Sequence, residues 1–199
     1  MRRRLAALAA LAGAAGVAGS FFFPSDFAWN GLNTLKLCME TARYASDAWA
    51  RLAWYGFAAC VLYPPVWAIS AGVAVAWRRP SPVAARLPAV VTVAGSLLVS
   101  LLGVLLLVRI ETWPAPPLQW LAAAAPAGHV LILWTVLRRA GSARRAAAVV
   151  WVGGIPFVVL YAMLMAASAR YGAPVAGYAA ALASMLVLLV AAIASVKAR

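Results

Sequence analysis

The chain has 199 residues, 66% of them hydrophobic, and a net charge of +13 from 17 basic and 4 acidic side chains. A soluble domain is closer to half apolar, and here the apolar residues gather into uncharged runs long enough to cross a bilayer. The basic residues flank these runs and form no continuous stripe, so we expect no nucleic-acid binding. One domain covering residues 1–199 is enough for this length.

The apolar runs predict an all-α integral membrane protein built as a six-helix transmembrane bundle. The predicted spans lie at about 5–23, 52–76, 88–108, 118–137, 146–168 and 174–196. Each is long enough to cross roughly 30 Å of hydrocarbon as a helix. The runs do not alternate apolar and polar residues, so they are not typical of a membrane β-barrel.

The first span allows two interpretations. A basic start, an apolar stretch and small residues near position 20 are typical of a cleaved signal peptide. Apolar sequence continues through Phe21, Phe22 and Phe23, which favours a retained first helix. Its small residues would let another helix approach closely: Ala9, Gly13, Ala15, Gly16 and Gly19. The alternative is that they reflect only the Ala- and Gly-rich composition of the chain.

The segment before the second span predicts an amphipathic helix at about 26–51, outside the cytoplasm and continuous with that span. Its charges recur every three or four positions with alternating sign and fall on one stripe: Lys36, Glu40, Arg43, Asp47 and Arg51. Cys38 and Ala42 lie on the opposite face, and Ser25 or Asp26 is the expected N-cap. The stripe is either a solvated face at the membrane surface or a docking surface for a partner.

Basic residues are divided unequally between the two ends of the spans. Twelve lie on the side of the termini: Arg2, Arg3, Arg4, Arg78, Arg79, Arg86, Arg138, Arg139, Arg144, Arg145, Lys197 and Arg199. Five lie on the other side, together with all four acidic residues: Lys36, Arg43, Arg51, Arg109 and Arg170. The positive-inside rule then predicts a multi-pass protein of a bacterial-type inner membrane with both termini in the cytoplasm.

Three spans carry helix breakers near mid-membrane. These are Pro64 and Pro65 in the second, Pro126 and Gly128 in the fourth, and Gly153, Gly154 and Pro156 in the fifth. A proline inside a helix removes one hydrogen bond and frees a carbonyl one turn earlier. In hydrocarbon that carbonyl needs another partner. The pattern predicts that the three spans bend or break and face one another around a polar pocket, with ordinary proline kinks as the alternative.

His129 follows the breaker of the fourth span and is the one histidine of the chain. An ionisable side chain at this depth is a functional candidate, although a lone histidine is more often a packing residue. With Tyr63 it would line the pocket and bind a small polar ligand by donating and accepting hydrogen bonds. The predicted ligand-binding residues are His129, Tyr63, Pro64, Pro65, Pro126, Gly128, Gly153, Gly154 and Pro156.

Patterns typical of catalytic or cofactor sites are missing from the sequence. No carboxylate lies within a predicted span, and no hydrolase, metalloprotease or phosphate-loop motif occurs. Cys38 and Cys60 lie roughly 33 Å apart along one continuous helix, too far for a disulfide. One histidine and two separated cysteines are too few for zinc, iron–sulfur or bis-histidine haem sites. We expect no cofactor and no metal, and we do not expect an enzyme.

An internal repeat is a further possibility. Residues 78–95 parallel residues 138–154, with the arginine pairs offset by 60 positions. Two helical hairpins of equal orientation would produce this pattern, and so would chance similarity between Ala- and Val-rich spans with Arg-rich turns.

Two functions are compatible with these features. The first is a non-catalytic subunit or assembly partner of a membrane complex, which agrees with the missing catalytic groups and the charged outer helix. The second is a small transporter or membrane-embedded binder with a midplane site. The expected partners are the lipid bilayer and a protein partner or second copies of the chain.

Overall fold

The computed structural model of the protein describes residues 2–23, 30–76, 82–109, 117–139 and 142–197. This part of the chain folds into seven α-helices and contains no strand, in agreement with the predicted all-α class. The helices are α1 (Arg2–Ser20), α2 (Gly31–Tyr44), α3 (Ala48–Ala76), α4 (Pro82–Arg109), α5 (Pro117–Arg139), α6 (Ser142–Arg170) and α7 (Ala176–Lys197). The predicted spans correspond to α1 and α3 to α7, with ends shifted by a few residues. α4 and α6 begin 60 positions apart, the offset of the possible repeat.

Local sequence explains several helix ends. Pro82 and Pro117 are the first residues of α4 and α5, where proline's fixed φ suits a helix and its missing N–H is not needed. After α6, Gly172 has a φ of +67°, which glycine adopts without steric cost. The amide of Ala173 donates to the Ser168 carbonyl at 2.9 Å, as in a Schellman cap. This cap ends α6 and turns the chain into α7.

The outer helix is shorter than predicted, and the expectation of one continuous helix at 26–51 is wrong. α2 ends at Tyr44, residues 45–47 are not helical, and α3 begins at Ala48. The Asp47 carboxylate accepts a hydrogen bond from the Ala50 amide at 2.6 Å and caps the start of α3. A short acidic side chain at a helix start satisfies amides that would otherwise lack partners, which is why the helix restarts here.

A separate residue caps the start of α2. The Asn30 side chain accepts a hydrogen bond from the Asn33 amide at 2.8 Å and donates to the Phe22 carbonyl at 3.3 Å. It therefore holds α2 against the end of α1. The predicted caps Ser25 and Asp26 lie outside the described residues.

The six long helices pack as a ring. Each neighbours the next in the order α1, α3, α4, α5, α6 and α7, and α7 returns to α1, while α2 lies on α3. Consecutive helices joined by short connections run in opposite directions. Contacts of α3 with α6 and α7, and of α4 with α6, fill the middle of the ring. Its most buried side chains include Trp67, Met185 and Leu188.

The first helix packs closely on the last. A Cβ on Gly13 would lie 2.8 Å from both the Ser184 carbonyl oxygen and the Leu188 amide nitrogen, so only a glycine fits. Gly16 is pressed equally closely against the Ser184 side chain. No described atom lies within 4 Å of the same position at Gly19. The small residues of α1 thus allow close approach at two positions.

Several helices have the length and apolar composition of membrane spans. Within the described residues three meet both requirements: Ala48–Ala76, Ala147–Arg170 and Ala176–Lys197. A shorter apolar stretch covers Arg86–Leu102. The fold is thus all-helical with several long apolar helices, as expected of a membrane protein, while the number of six crossings stays a prediction.

Candidate functional site

A cavity of about 400 Å³ lies among α3, α4, α5 and α6. Its size falls in the range of small-molecule sites in proteins. Four of the described lining residues carry a polar side-chain atom and three are prolines: Cys60, Tyr63, Ser96, His129, Pro64, Pro126 and Pro156. The other four are apolar: Val99, Ala125, Phe157 and Leu160. The cavity thus combines a few polar groups with a mainly apolar wall.

The prolines meet at this cavity without breaking their helices. α3, α5 and α6 continue through Pro64, Pro126 and Pro156, so the expected helix breaks do not occur. All three prolines nevertheless line the cavity, one from each helix. A helix can pass through a proline when another group takes over the lost hydrogen bond.

His129 supplies that replacement for α6. Its Nε2 lies 2.6 Å from the carbonyl oxygen of Val152, four residues before Pro156. This is the carbonyl that a normal residue at position 156 would bond through its amide, and proline has none. The imidazole therefore restores, from α5, a hydrogen bond that the sequence of α6 removes.

The same contacts indicate which ring nitrogen of His129 carries the proton. A carbonyl only accepts hydrogen bonds, so Nε2 carries a proton and donates to Val152. In the neutral ring Nδ1 is then an acceptor, and the Ser96 hydroxyl lies 3.3 Å from it. We assign this tautomer from the partners. His129 on α5 thus connects α4 and α6.

A second set of polar contacts joins α3 to α4. The Tyr63 hydroxyl donates to the Thr92 carbonyl at 3.2 Å, and the indole N–H of Trp67 donates to the Thr92 hydroxyl at 2.9 Å. That hydroxyl donates in turn to the Pro88 carbonyl at 2.7 Å. The Tyr63 hydroxyl also interacts with the Ser96 side chain. The two sets of contacts therefore meet at Ser96.

Four residues of the predicted ligand-binding set lie elsewhere: Pro65, Gly128, Gly153 and Gly154 do not line the cavity. Gly153 is buried, and a Cβ there would lie 2.7 Å from Trp67 Nε1 and from Thr92 Oγ1. Gly154 faces Trp67 and Leu189 in the same way. Both glycines allow α6 to pack against its neighbours. Beside them the rings of Trp67 and Phe157 are in tilted contact, with centroids 5.3 Å apart and an interplanar angle of 49°.

Sequence reasoning missed two polar residues of the cavity. Ser96 and Cys60 both line it, and both lie in the middle of apolar helices. A hydroxyl or thiol in an uncharged run is a weak signal, because such groups often bond to their own helix. The depth of Ser96, halfway along α4, is the feature that could have marked it.

The predicted docking residues fall into two groups. Lys36, Glu40 and Arg43 are exposed on α2, while Asp47 caps α3 and Arg51 donates to the Ala45 carbonyl at 3.2 Å. On the opposite face of α2, Cys38 and Ala42 are buried against α3. Burial raises the pKa of the Cys38 thiol. Both cysteines are free.

The contact of Ser96 with His129 has the composition of a nucleophile and its base. The distance of 3.3 Å is long for that role, and Ser96 lies inside α4. Backbone amides inside a helix bond to the helix itself, so they are not free to stabilise an oxyanion. We therefore interpret the contact as structural. No protein-family model, curated protein or solved structure matches the chain.

Proposed function

We propose that the protein is a multi-pass membrane protein that holds a small molecule in the cavity among α3, α4, α5 and α6, as a binder or a small transporter. One observation carries the proposal: His129 bonds to the carbonyl left free by Pro156 while the prolines of α3 and α5 line the same cavity. A polar site at mid-membrane is costly unless it serves a function.

The membrane arrangement belongs to this proposal. The six helices of the ring would each cross the bilayer, with both termini in the cytoplasm of a bacterial-type inner membrane. The uneven distribution of arginine and lysine supports this orientation. The segment with α2 would then lie outside.

Native mass spectrometry of the protein, purified from its own membrane in mild detergent, tests the proposal. Ala125 lines the cavity, whereas Ala94 is an exposed residue of the neighbouring helix α4 that does not line it. The wild type and Ala94→Phe should carry a small bound molecule, and Ala125→Phe, which fills the cavity, should lose it. Equal occupancy in all three proteins would contradict the proposal.

A role as non-catalytic subunit of a membrane complex is a second candidate. It is supported by the surface of α2, where Lys36, Glu40 and Arg43 are exposed beside the apolar side chains of Leu37 and Met39. Replacing the three charged residues by alanine should then release a co-purifying subunit while leaving the fold intact. An unchanged set of co-purifying proteins would contradict this role.

A further inference from the structure

The proposed function can be carried one step further, to the chemical class of the ligand, on the assumption that the cavity is a binding site. The class of ligand depends on which hydrogen-bonding groups of the cavity already have a partner. It also depends on charge and on the position of polar and apolar residues along the helices.

Among the described residues around the cavity, the O–H and N–H hydrogens already have acceptors, and the Cys60 thiol is only a weak donor. The Tyr63 hydroxyl donates to the Thr92 carbonyl and His129 Nε2 donates to the Val152 carbonyl. The single hydrogen of the Ser96 hydroxyl has two acceptors beside it, the unprotonated Nδ1 of His129 and the Tyr63 oxygen. Each hydroxyl oxygen keeps a lone pair for a further bond. The floor of the cavity therefore offers acceptors, and a ligand that bonds there has to be a donor.

Charged ligands do not suit this site. The described residues that line the cavity include no lysine, arginine, aspartate or glutamate. An ion transferred into such a site would lose its hydration without gaining a counter-charge, which is strongly unfavourable. The ligand is therefore uncharged.

The lining residues lie at two levels of the cavity, and one of the levels is mainly apolar. Cys60, Val99, Ala125 and Leu160 each lie three or four residues, about one turn or 6 Å, from a polar or proline residue of the same helix. In every helix this step leads towards the end where α3 and α5 begin and α4 and α6 end. Val99, Ala125 and Leu160 are exposed, as is Pro156 one turn from Leu160, whereas Ser96 is buried. The cavity is therefore open along a mainly apolar level on the side of α2, and Ser96 and Tyr63 form its polar floor.

We infer that the cavity binds an uncharged molecule with an apolar body and one terminal hydroxyl group, an alcohol or a phenol. The hydroxyl reaches the floor and donates to the Ser96 or Tyr63 oxygen. The apolar body lies against Val99, Phe157 and Leu160 and enters from the end of the molecule where α2 lies.

Three photoreactive probes test the inference: an aliphatic diazirine that ends in a hydroxyl, and its matched methyl ether and carboxylate. Each is crosslinked to the protein in lipid nanodiscs, and the labelled residues are found by mass spectrometry. We expect the hydroxyl probe to label the walls of the cavity at least about fivefold more than the ether or the carboxylate, the equivalent of one hydrogen bond. Ser96→Ala should reduce this preference, and Ser195→Ala, which removes a hydroxyl from α7, should not.

The outcomes separate the inference from the proposed function. Ala125→Phe should block labelling by the hydroxyl probe, and Ala94→Phe should not. If Ala125→Phe blocks labelling but all three probes label equally, or the carboxylate labels best, the cavity binds ligands and the inferred class is wrong. If Ala125→Phe blocks no probe, the inferred ligand class and the proposed function are both wrong. The comparison of the three probes uses the wild-type protein, so it stands even if Ser96→Ala does not fold.

Discussion

The carbonyl of Val152 shows how one proline and one histidine on different helices fit together. Pro156 leaves that carbonyl without its helical partner, and His129 Nε2 bonds to it at 2.6 Å. In an apolar environment an unpaired carbonyl is costly, so the pair stabilises the contact of α5 with α6. Without its partner, each residue would leave a part-buried polar group unsatisfied. Together they allow a hydrogen bond between α5 and α6.

This pairing predicts coupled effects of substitution. His129→Ala should lower the free energy of unfolding by about 1–3 kcal/mol, because it leaves the Val152 carbonyl unsatisfied. In the Pro156→Ala background the new amide at position 156 bonds to that carbonyl, so the same substitution should cost at least about 1 kcal/mol less. Equilibrium unfolding of the four proteins in mixed micelles measures the difference.

A proline outside the cavity provides the control for that cycle. Pro65→Ala in α3 also restores an amide, but it affects a carbonyl that His129 does not contact. Its effect should add to that of His129→Ala within about 0.5 kcal/mol. Equal coupling with Pro65 and Pro156 would show that the histidine does not act through the Val152 carbonyl.

The sequence predicted the members of this site better than its contacts. His129, Tyr63 and three prolines were expected at one depth because depth follows from counting residues along each span. The choice of Val152 as partner depends on the rotation and register of α5 against α6, which composition does not encode. Gly153 and Gly154 were grouped with the ligand site because they precede Pro156, whereas they serve the packing of Trp67.

At the scale of elements, two glycines of α1 predict opposite effects of the same substitution. Gly13→Ala should destabilise the protein by about 1–3 kcal/mol, because the added Cβ meets the backbone of α7 at 2.8 Å. Gly19→Ala meets no described atom within 4 Å and should be neutral or slightly stabilising, since alanine favours helix more than glycine. Thermal unfolding in detergent compares the two. A loss of stability at Gly19 as large as at Gly13 would contradict the packing of α1 on α7.

The packing of α2 on α3 predicts how fast a thiol on each face of α2 reacts. Cys38 is buried, and the raised pKa of its thiol keeps it protonated until the pH rises above the range of a free cysteine. Reagents attack the thiolate, so Cys38 should react slowly at neutral pH and faster as the pH rises. Lys36→Cys in a Cys38→Ser background should react faster, because residue 36 is exposed.

A membrane-impermeant maleimide applied to intact cells measures these rates. The proposed topology requires labelling at position 36 without opening of the inner membrane. Labelling only after the membrane is opened would place α2 in the cytoplasm. Equal rates at positions 36 and 38 would mean that Cys38 does not face α3.

The course of α2 also shows the limit of reading periodicity alone. Spacings of three and four placed Asp47 on the stripe with Glu40 and Arg43, and those spacings are correct along one helix. The pattern does not show where a helix ends. Asp47 caps a new helix. From the sequence alone, the same residue is compatible with a capping position and with a place on the charged stripe.

At the scale of the whole molecule, the ring arrangement fits an even number of crossings. With the proposed six crossings, both termini would lie on one side of the membrane, together with the arginine-rich ends of the helices. Fusion of a cytoplasmic fluorescent reporter to the C-terminus should therefore give fluorescence, and fusion of a periplasmic phosphatase should give no activity. The reverse result would require an odd number of crossings or the opposite orientation.

The all-helical class and the order of the long helices could be predicted because each apolar run is continuous and bounded by charge. Which helices neighbour one another could not. The contact of α1 with α7 joins the two ends of the chain, and it depends on Gly13 and Gly16 meeting Ser184. Pairwise complementarity of this kind between distant segments leaves no periodic signal in the sequence.

An experimental structure of the protein purified from its own membrane into a lipid nanodisc tests the central claim most directly. We predict density for a bound small molecule between the floor at Ser96 and the mainly apolar level at Leu160. We also predict His129 Nε2 within hydrogen-bond distance of the Val152 carbonyl. A closed space between α4 and α6, with His129 turned away from that carbonyl, would contradict the ligand site and its hydrogen-bonded floor.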